Sequence, residues 1–311
     1  MKIRLSGRIK LAADYLVYLA VRLVVCVIQA ISVETCAALA RRTAALVNDV
    51  IQKRGDVVDE NLRLAFPKMS ADERRELSRR MWEHLLLMVI EVAHAPRKIH
   101  DTNWQEHIHI PDIAPTMRRM FTDRPHVTVS GHFGNFELAG FAFGLFGFEM
   151  FSVARPLDNP FLDRWVREFR AANFVRILPK NGSAGEISDM LARQGTLSIL
   201  ADQHAGPKGC WVDFFGRPAS THKAIALFSL ANDAPLVVGS LRRVGAPLHF
   251  ELAVEAVADP RSLRPEQEGV AGLTQWYTHC LERIIRRDPD QYWWVHRRWK
   301  DTRPRKAKAA A

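Results

Sequence analysis

The greatest concentration of reactive groups lies in Ser130-Gly131-His132-Phe133-Gly134-Asn135-Phe136-Glu137. His132 and Glu137 stand five residues apart. On one continuous helix their side chains would point about 140° away from each other and could not pair. They meet only if the backbone turns between them, and Gly131 and Gly134 give it that freedom. The imidazole is then expected on the turn and the carboxylate in the first turn of the helix that follows. A histidine oriented by a carboxylate is a general base, because the acid fixes the tautomer and stabilises the imidazolium that forms. No Gly-x-Ser-x-Gly elbow occurs in the chain, so no serine nucleophile is indicated. The chemistry expected is activation of a substrate hydroxyl for direct attack on an acyl carbonyl, with free N–H groups of a helix start holding the oxyanion. By spacing alone the signal is weak, and an ordinary turn histidine fits it too.

The elements around this box must place it at the end of a strand. From about residue 126 short apolar runs alternate with helical patterns. His126 to Ser130 reads as a strand and Phe136 to Leu145 as a helix. Phe151 to Ala154 is a strand, Pro160 to Asn173 a helix, and Val175 to Leu178 a strand. Glu186 to Arg193 is a helix stopped by Gly195, and Thr196 to Ala201 a strand. His222 to Ala231 is a helix, Pro235 to Arg242 and Leu248 to Val257 a paired hairpin, and Gly272 to Arg287 a closing helix. This alternation predicts an α/β fold with a mixed, mainly parallel sheet flanked by helices. In such sheets ligands bind beyond the carboxyl ends of the strands, which is where the box falls.

Upstream the pattern is helical. Leu11 to Ile31 is apolar and long enough to span a bilayer, yet Asp14, Tyr18, Arg22 and Gln29 interrupt it within one arc of about 80°. A lone spanning helix has no use for that stripe. The stripe suggests a helix lying in the membrane interface, or one whose polar edge packs on the domain. A spanning helix and a cleaved signal peptide are the other readings, and Arg22 argues against the latter. A second helix is expected from Val33 to about Lys53. The segment Asn61 to Pro67 is closed by its proline, and Ser70-Ala71-Asp72-Glu73 reads as a capping box. It opens a helix whose apolar stripe is Leu77, Met81, Leu85, Met88 and Val92. Glu91 near the stripe's end is expected to be a solvated or paired edge carboxylate. The domain division expected is a membrane-anchoring helical segment over 1–55, a catalytic domain over 56–302 and a basic, disordered tail over 303–311.

The net charge is +10 over 311 residues. Residues 1–10 carry four basic side chains and no acid, as do residues 303–311, so the body between is close to neutral. Basic ends suit an anionic lipid surface or an acidic partner protein. Cys26, Cys36, Cys210 and Cys280 form neither a CxxC pair nor a zinc pattern, and read as reduced core residues. No metal or redox cofactor is expected. The alternation of aromatic and basic residues from Tyr292 to Lys300 is short and stands without a nucleic-acid motif, so no nucleic-acid partner is expected. It suits a lipid headgroup interface or a C-terminal strand on the sheet edge.

Five blocks along the chain together resemble the bacterial lipid A biosynthesis acyltransferase family, the late acyltransferases that load lauroyl or myristoyl chains. They are Asn61 to Pro67, the His132–Glu137 box, Ala154-Arg155-Pro156-Leu157-Asp158-Asn159-Pro160, the central set Asp202-Gln203, Gly206, Phe214-Phe215-Gly216 and Thr221, and Gln291-Tyr292-Trp293-Trp294-Val295-His296-Arg297-Arg298-Trp299-Lys300. The resemblance runs from roughly residue 10 to residue 300. The box itself is shared with the glycerolipid acyltransferases, whose α/β fold it implies here. Two departures stand out: the acid of the box is Glu where this family commonly has Asp, and the N-terminal segment is more polar than a plain anchor.

The resemblance implies His132 as the base, Glu137 as its partner and Asn135 as a shaper of the turn. It implies acyl carrier protein as the donor, a lipid A precursor as the acceptor, and a place on the cytoplasmic face of the bacterial inner membrane. Arg155, Asp202, Gln203, Phe214, Phe215, His296, Arg297 and Arg298 are the other candidate substrate-binding residues. Arg155 suits a phosphate or an oxyanion, or else a surface ion pair. Asp202 and Gln203 suit the crevice rim, unless Asp202 caps the following loop. Phe214 and Phe215 fit an acyl slot or plain core, and Thr221 reads as a helix N-cap. The alternatives kept open are the same chemistry on another glycolipid of the phosphoinositide mannoside type, a thioesterase or hydrolase, and a non-catalytic membrane-binding protein.

Overall fold

The structure, a computed structural model, describes residues 2–111, 113–114, 122–179 and 182–300, with side chains from residue 8 onward. The basic tail expected at 303–311 lies outside the described residues.

Four helices build the N-terminal part: α1 (Lys2–Ala30), α2 (Val33–Leu46), α3 (Gly55–Ala65) and α4 (Ala71–Lys98). The second stops before Lys53 because a π-helical turn, Val47–Ile51, follows it and Gln52 then turns left-handed. α4 opens on a complete capping box. The Ser70 hydroxyl accepts from the Glu73 N–H, and the Glu73 carboxylate accepts from the Ser70 N–H.

The polar stripe of α1 packs on the domain. The Gln29 amide donates to the Ala93 carbonyl of α4 at 2.7 Å, and the Asp14 carbonyl accepts from the Asn159 side chain at 2.7 Å. The Tyr15 and Tyr18 rings lie against Phe161, and the Arg22 guanidinium stands over Trp165. The remaining faces leave Leu16, Val17, Leu23, Val24 and Val27 exposed. Residues 8–30 are long and apolar enough to cross a membrane.

A short turn of helix, α5 (Trp104–His107), leads into the sheet. The sheet's strands are β1 (Ile108–His109), β2 (His126–Ser130), β3 (Met150–Ala154), β4 (Val175–Pro179), β5 (Thr196–Leu200), β8 (Leu236–Arg243) and β9 (Phe250–Ala258). Their order is β1-β9-β8-β2-β5-β3-β4, parallel throughout except for the antiparallel β8–β9 pair. The helices α6 (Phe136–Leu145), α7 (Pro160–Ala172), α8 (Ala184–Ala192), α9 (Ala224–Ala231) and α10 (Gly269–Arg287) connect and cover it. The central strands read as apolar runs because both faces are covered. Val127, Val129, Leu197, Leu236 and Val238 are all buried in one core with Ile225, Tyr277 and Leu281.

A second, two-stranded sheet was not legible in the sequence. β6 (Cys210–Phe214) and β7 (Arg217–Thr221) pair antiparallel across Phe215 and Gly216, whose φ angles of 56° and 73° form a left-handed two-residue turn. Thr221 therefore closes a strand. It is buried and accepts from Arg298, and Lys223 occupies the N-cap position of α9 without a side-chain bond. The C-terminal run adds no edge strand either. It makes an isolated bridge, Tyr292 to Phe133, then turns, anchored by buried Tyr292 and Trp294.

Candidate active site

Strand register creates the site. β2 and β5 are parallel neighbours in which Val129 faces Ile199 and Ser130 faces Leu200, and the Ala201 N–H donates to the Ser130 carbonyl. Carrying that pairing two residues further places His132 beside Asp202. The contact is made: Nδ1 of His132 lies 2.8 Å from one Asp202 oxygen, and the His132 backbone N–H donates to the other at 3.0 Å. Asp202 carries no solvent-exposed side-chain surface, and His132 is almost buried.

Electrostatics follow from that pairing. Burial alone would raise the Asp202 pKa, but the charge of His132 and its two hydrogen bonds hold it far below the usual carboxylate range. Burial works against the His132 imidazolium, yet Asp202, with Glu137 adding to it, holds the His132 pKa above its ordinary value. The imidazole thus has Nδ1–H committed to an anion, which directs the lone pair of its neutral form to Nε2. Around Nε2 stand three rings, Phe136, Trp293 and His296, with centroids 5.0, 5.2 and 5.2 Å from that of His132. The Gln203 amide nitrogen is 3.3 Å from Nε2 of both His132 and His296. An amide nitrogen can only donate, so it caps Nε2 of each ring in its neutral form.

Glu137 sits in the first turn of α6, as expected, but its carboxylate is taken by Arg170 of α7 through contacts of 2.6 and 3.1 Å. The carboxylate on the His132 ring is Asp202. Asn135 is fully buried and serves as the α6 N-cap: its Oδ1 accepts from the Leu138 N–H, and its Nδ2 donates to Glu91. It shapes the turn without reaching the crevice. Leu138 and Ala139 N–H groups are thereby satisfied, which leaves those of Phe136 and Glu137 as the donors of the helix start without a partner among the described residues.

The other expected contacts divide. Gln203 and His296 meet His132. Arg155, expected to face the crevice, is instead about three-quarters exposed and held in a surface ion pair with Asp158. Phe214 and Phe215 are core, packed against each other and against Trp299 and Trp294. Arg297 is exposed. Arg298 is buried: it donates to the Ser220 carbonyl and the Thr221 hydroxyl over the Phe214 ring, and pins the C-terminal run to β7.

Beneath the turn lies a network that sequence reading missed. Glu91 is an interior carboxylate. It accepts from Arg243 at 2.5 and 2.7 Å, from Asn135 at 2.9 Å and from the Leu248 N–H at 3.2 Å. Arg243 also donates to Nδ1 of His84 at 2.8 Å, and Nε2–H of His84 donates to the Gly134 carbonyl at 3.2 Å. Burial, then Arg243, lowers the His84 pKa to about 3, so the ring is neutral. Gly134 has φ +60°, and a Cβ there would lie 2.1 Å from the Leu241 carbonyl oxygen. The signal that could have revealed the network is phase. His84 and Glu91 are polar residues two helical turns apart on the buried stripe of α4.

Known proteins resemble this sequence over most of its length. A family model described as bacterial lipid A biosynthesis acyltransferase matches residues 7–301. The lipid A biosynthesis palmitoleoyltransferase of Escherichia coli (strain K12) is 27% identical over 276 residues, 86% of this chain and 85% of that protein. The lipid A biosynthesis lauroyltransferase of the same organism is 28% identical over 265 residues, 82% of this chain and 81% of that protein. Among solved structures, the 1-acyl-sn-glycerophosphate acyltransferase PlsC of Thermotoga maritima aligns over 81% of this chain and 94% of its own at 13% identity, with a TM-score of 0.37.

Proposed function

The chain belongs to the bacterial lipid A biosynthesis acyltransferase family and is an O-acyltransferase, and from that premise we propose its donor, its acceptor and its catalytic groups. The donor is an acyl thioester of acyl carrier protein, and the acceptor is a hydroxyl of a lipid A precursor. The near-neutral body with basic ends suits both an acidic carrier and an anionic lipid surface. The exposed apolar face of α1 suits the membrane in which that acceptor lies.

His132 is the general base. The acceptor hydroxyl displaces the Gln203 amide from Nε2 and gives its proton to that nitrogen while its oxygen attacks the thioester carbonyl. Asp202 holds Nδ1–H, fixes the tautomer and stabilises the imidazolium. The carbonyl oxygen, now an oxyanion, is met by the Phe136 and Glu137 N–H groups at the start of α6. When the tetrahedral intermediate collapses, the C–S bond breaks and the imidazolium returns its proton to the departing thiolate. Glu137, held by Arg170, adds negative potential on the imidazolium side. The walls of Phe136, Trp293 and His296 keep bulk water from the base, which favours transfer over hydrolysis.

The observation that carries this reading is the 2.8 Å contact between His132 and the buried Asp202. Its test is an acyl-transfer assay in detergent with lauroyl- or myristoyl-acyl carrier protein and a tetra-acylated lipid A precursor, the acceptor followed by mass spectrometry. The expected outcome is a gain of one acyl chain with wild type and none with His132→Ala. Thioester cleavage without gain by the acceptor would reassign the chain to another acceptor or to hydrolysis. Transfer that survives in His132→Ala would remove the base.

A further inference from the structure

The end of α1, the start of α2 and the last turns of α4 border an open cavity of about 290 Å³, and its lining shares no residue with the active site. Its wall holds His94, Arg97 and Lys98 of α4, Gln29 of α1, and Ser32 and Glu34 at the start of α2. His94 is only 3% exposed, and its Nε2 has no hydrogen-bond partner among the described residues. Buried polar atoms are nearly always satisfied, so an unpaired nitrogen on a residue that lines the cavity marks a place for a ligand. Arg97 and Lys98 are exposed and form no ion pair with a described residue. The Glu34 carboxylate is turned back on its own backbone N–H and the Ser32 hydroxyl, which together lower its pKa. Two uncommitted cations and a buried imidazole thus face one acid that is already engaged.

We propose that this cavity binds the phosphate of an anionic headgroup, with Arg97 and Lys98 on its outer oxygens and His94 Nε2 on its inner one. Guanidinium and ammonium groups at the mouth supply charge-assisted donors. The volume is at the small end of ligand pockets, so it takes a headgroup and not acyl chains. The location favours a lipid source. The exposed residues Leu23, Val24 and Val27 of α1 lead to the cavity's edge. This choice of source rests on the reading of α1 as the membrane-facing element; a soluble phosphate ester offers the same chemistry.

Binding is coupled to a proton. The groups facing His94 are the Ile28 carbonyl of α1, Lys98 and Arg97 on its own helix, and Glu34 of α2. Burial foremost, with both cations adding to it, lowers its pKa against the pull of the Ile28 carbonyl and Glu34. Nε2 can donate to a phosphate oxygen only after the ring gains a proton. The site therefore takes up a proton with its anion and tightens as pH falls.

The test uses the full-length protein in phosphatidylcholine nanodiscs with and without phosphatidylglycerol, with retained lipid counted by native mass spectrometry. Wild type is expected to keep a phosphatidylglycerol in preference to phosphatidylcholine. The double variant Arg97→Gln/Lys98→Gln is expected to lose that preference by about tenfold, the scale of two charge-assisted contacts. Wild-type affinity is expected to rise severalfold from about pH 8 to about pH 6, while His94→Gln stays flat. Glycerophosphate and inorganic phosphate, added at millimolar levels, separate the sources. If they bind to protein that does not associate with nanodiscs, the site stands and the membrane reading of α1 fails. Equal retention by wild type and the double variant, or no dependence on pH in wild type, overturns the proposal.

Discussion

Replacing Arg243 by Met leaves the Glu91 carboxylate inside the protein with no cation. Glu91 has no exposed side-chain surface, and Arg243 is only 9% exposed, so neither partner can turn to water. Removing one member of such a pair costs about 3–5 kcal/mol, mostly for the charge left behind. Glu91 retains the Asn135 and Leu248 donors in the variant, which places the expected loss toward the lower end of that range. For a chain of this size it corresponds to roughly a 6–12 °C fall in Tm, at about 2–4 °C per kcal/mol. The second variant, Glu91→Gln with Arg243→Met, removes both charges, while the new side-chain amide oxygen still accepts from one of those two donors, which bond different carboxylate oxygens in wild type. It is expected to recover at least half of the loss, a coupling of about 2 kcal/mol. Thermal unfolding of wild type, both single variants and the double variant in one detergent completes the cycle. The turn that carries His132 rests on this network, so kcat should fall with the single variants and partly return in the double, while the acceptor KM changes little. A loss below about 1 kcal/mol in Arg243→Met, or simple additivity in the double, would refute this reasoning.

Other outcomes follow from the same geometry. Gly134→Ala drives a Cβ into the Leu241 carbonyl at a residue with φ +60°, so it is expected to cost at least about 2 kcal/mol and to lower kcat; circular dichroism melts and the transfer assay check both. Asn159→Ala removes the N-cap of α7, which bonds the Phe161 and Leu162 N–H groups, and also the bond to Asp14 of α1. It should cost about 1 kcal/mol and loosen α1, seen as faster hydrogen exchange in both helices. Phe215→Ala opens the packing between Phe66, Phe214, Trp294 and Trp299 and should cost about 3–5 kcal/mol with the acyl-chain preference unchanged, as befits a core residue.

Much of the catalytic half was legible because its elements are short, strongly patterned and bounded by clear stops. Strand β2 and helix α6 fall where the sequence puts them, and the capping box at Ser70 and the Asn159-Pro160 start of α7 are local hydrogen-bond chemistry that needs no tertiary context. The β6–β7 hairpin was hidden because its turn uses a left-handed Phe before Gly, not the Asn-Gly or Asp-Gly that announces such turns. Partner choice at the site was the deeper gap. Glu137 is near His132 in sequence, so a local reading pairs the two. Asp202 is 70 residues away and arrives through the register of two parallel strands, a long-range fact that no local pattern carries. Arg170, which claims Glu137, and Arg243, which claims Glu91, come from distant elements in the same way.

The most direct test is the pH dependence of kcat/KM for acyl transfer in wild type, Asp202→Asn and Glu137→Gln. A base must be neutral to act, so wild-type activity should rise with pH through the raised His132 pKa, above the ordinary histidine value. Asp202→Asn removes the main charge holding that pKa up and frees the tautomer. Its limb should move to lower pH, and its plateau should fall by a factor on the order of 10³–10⁴. Glu137→Gln should move the limb less. The contradictory result is an Asp202→Asn enzyme with the wild-type limb and near-wild-type rate beside a dead Glu137→Gln, which would return the orienting role to Glu137.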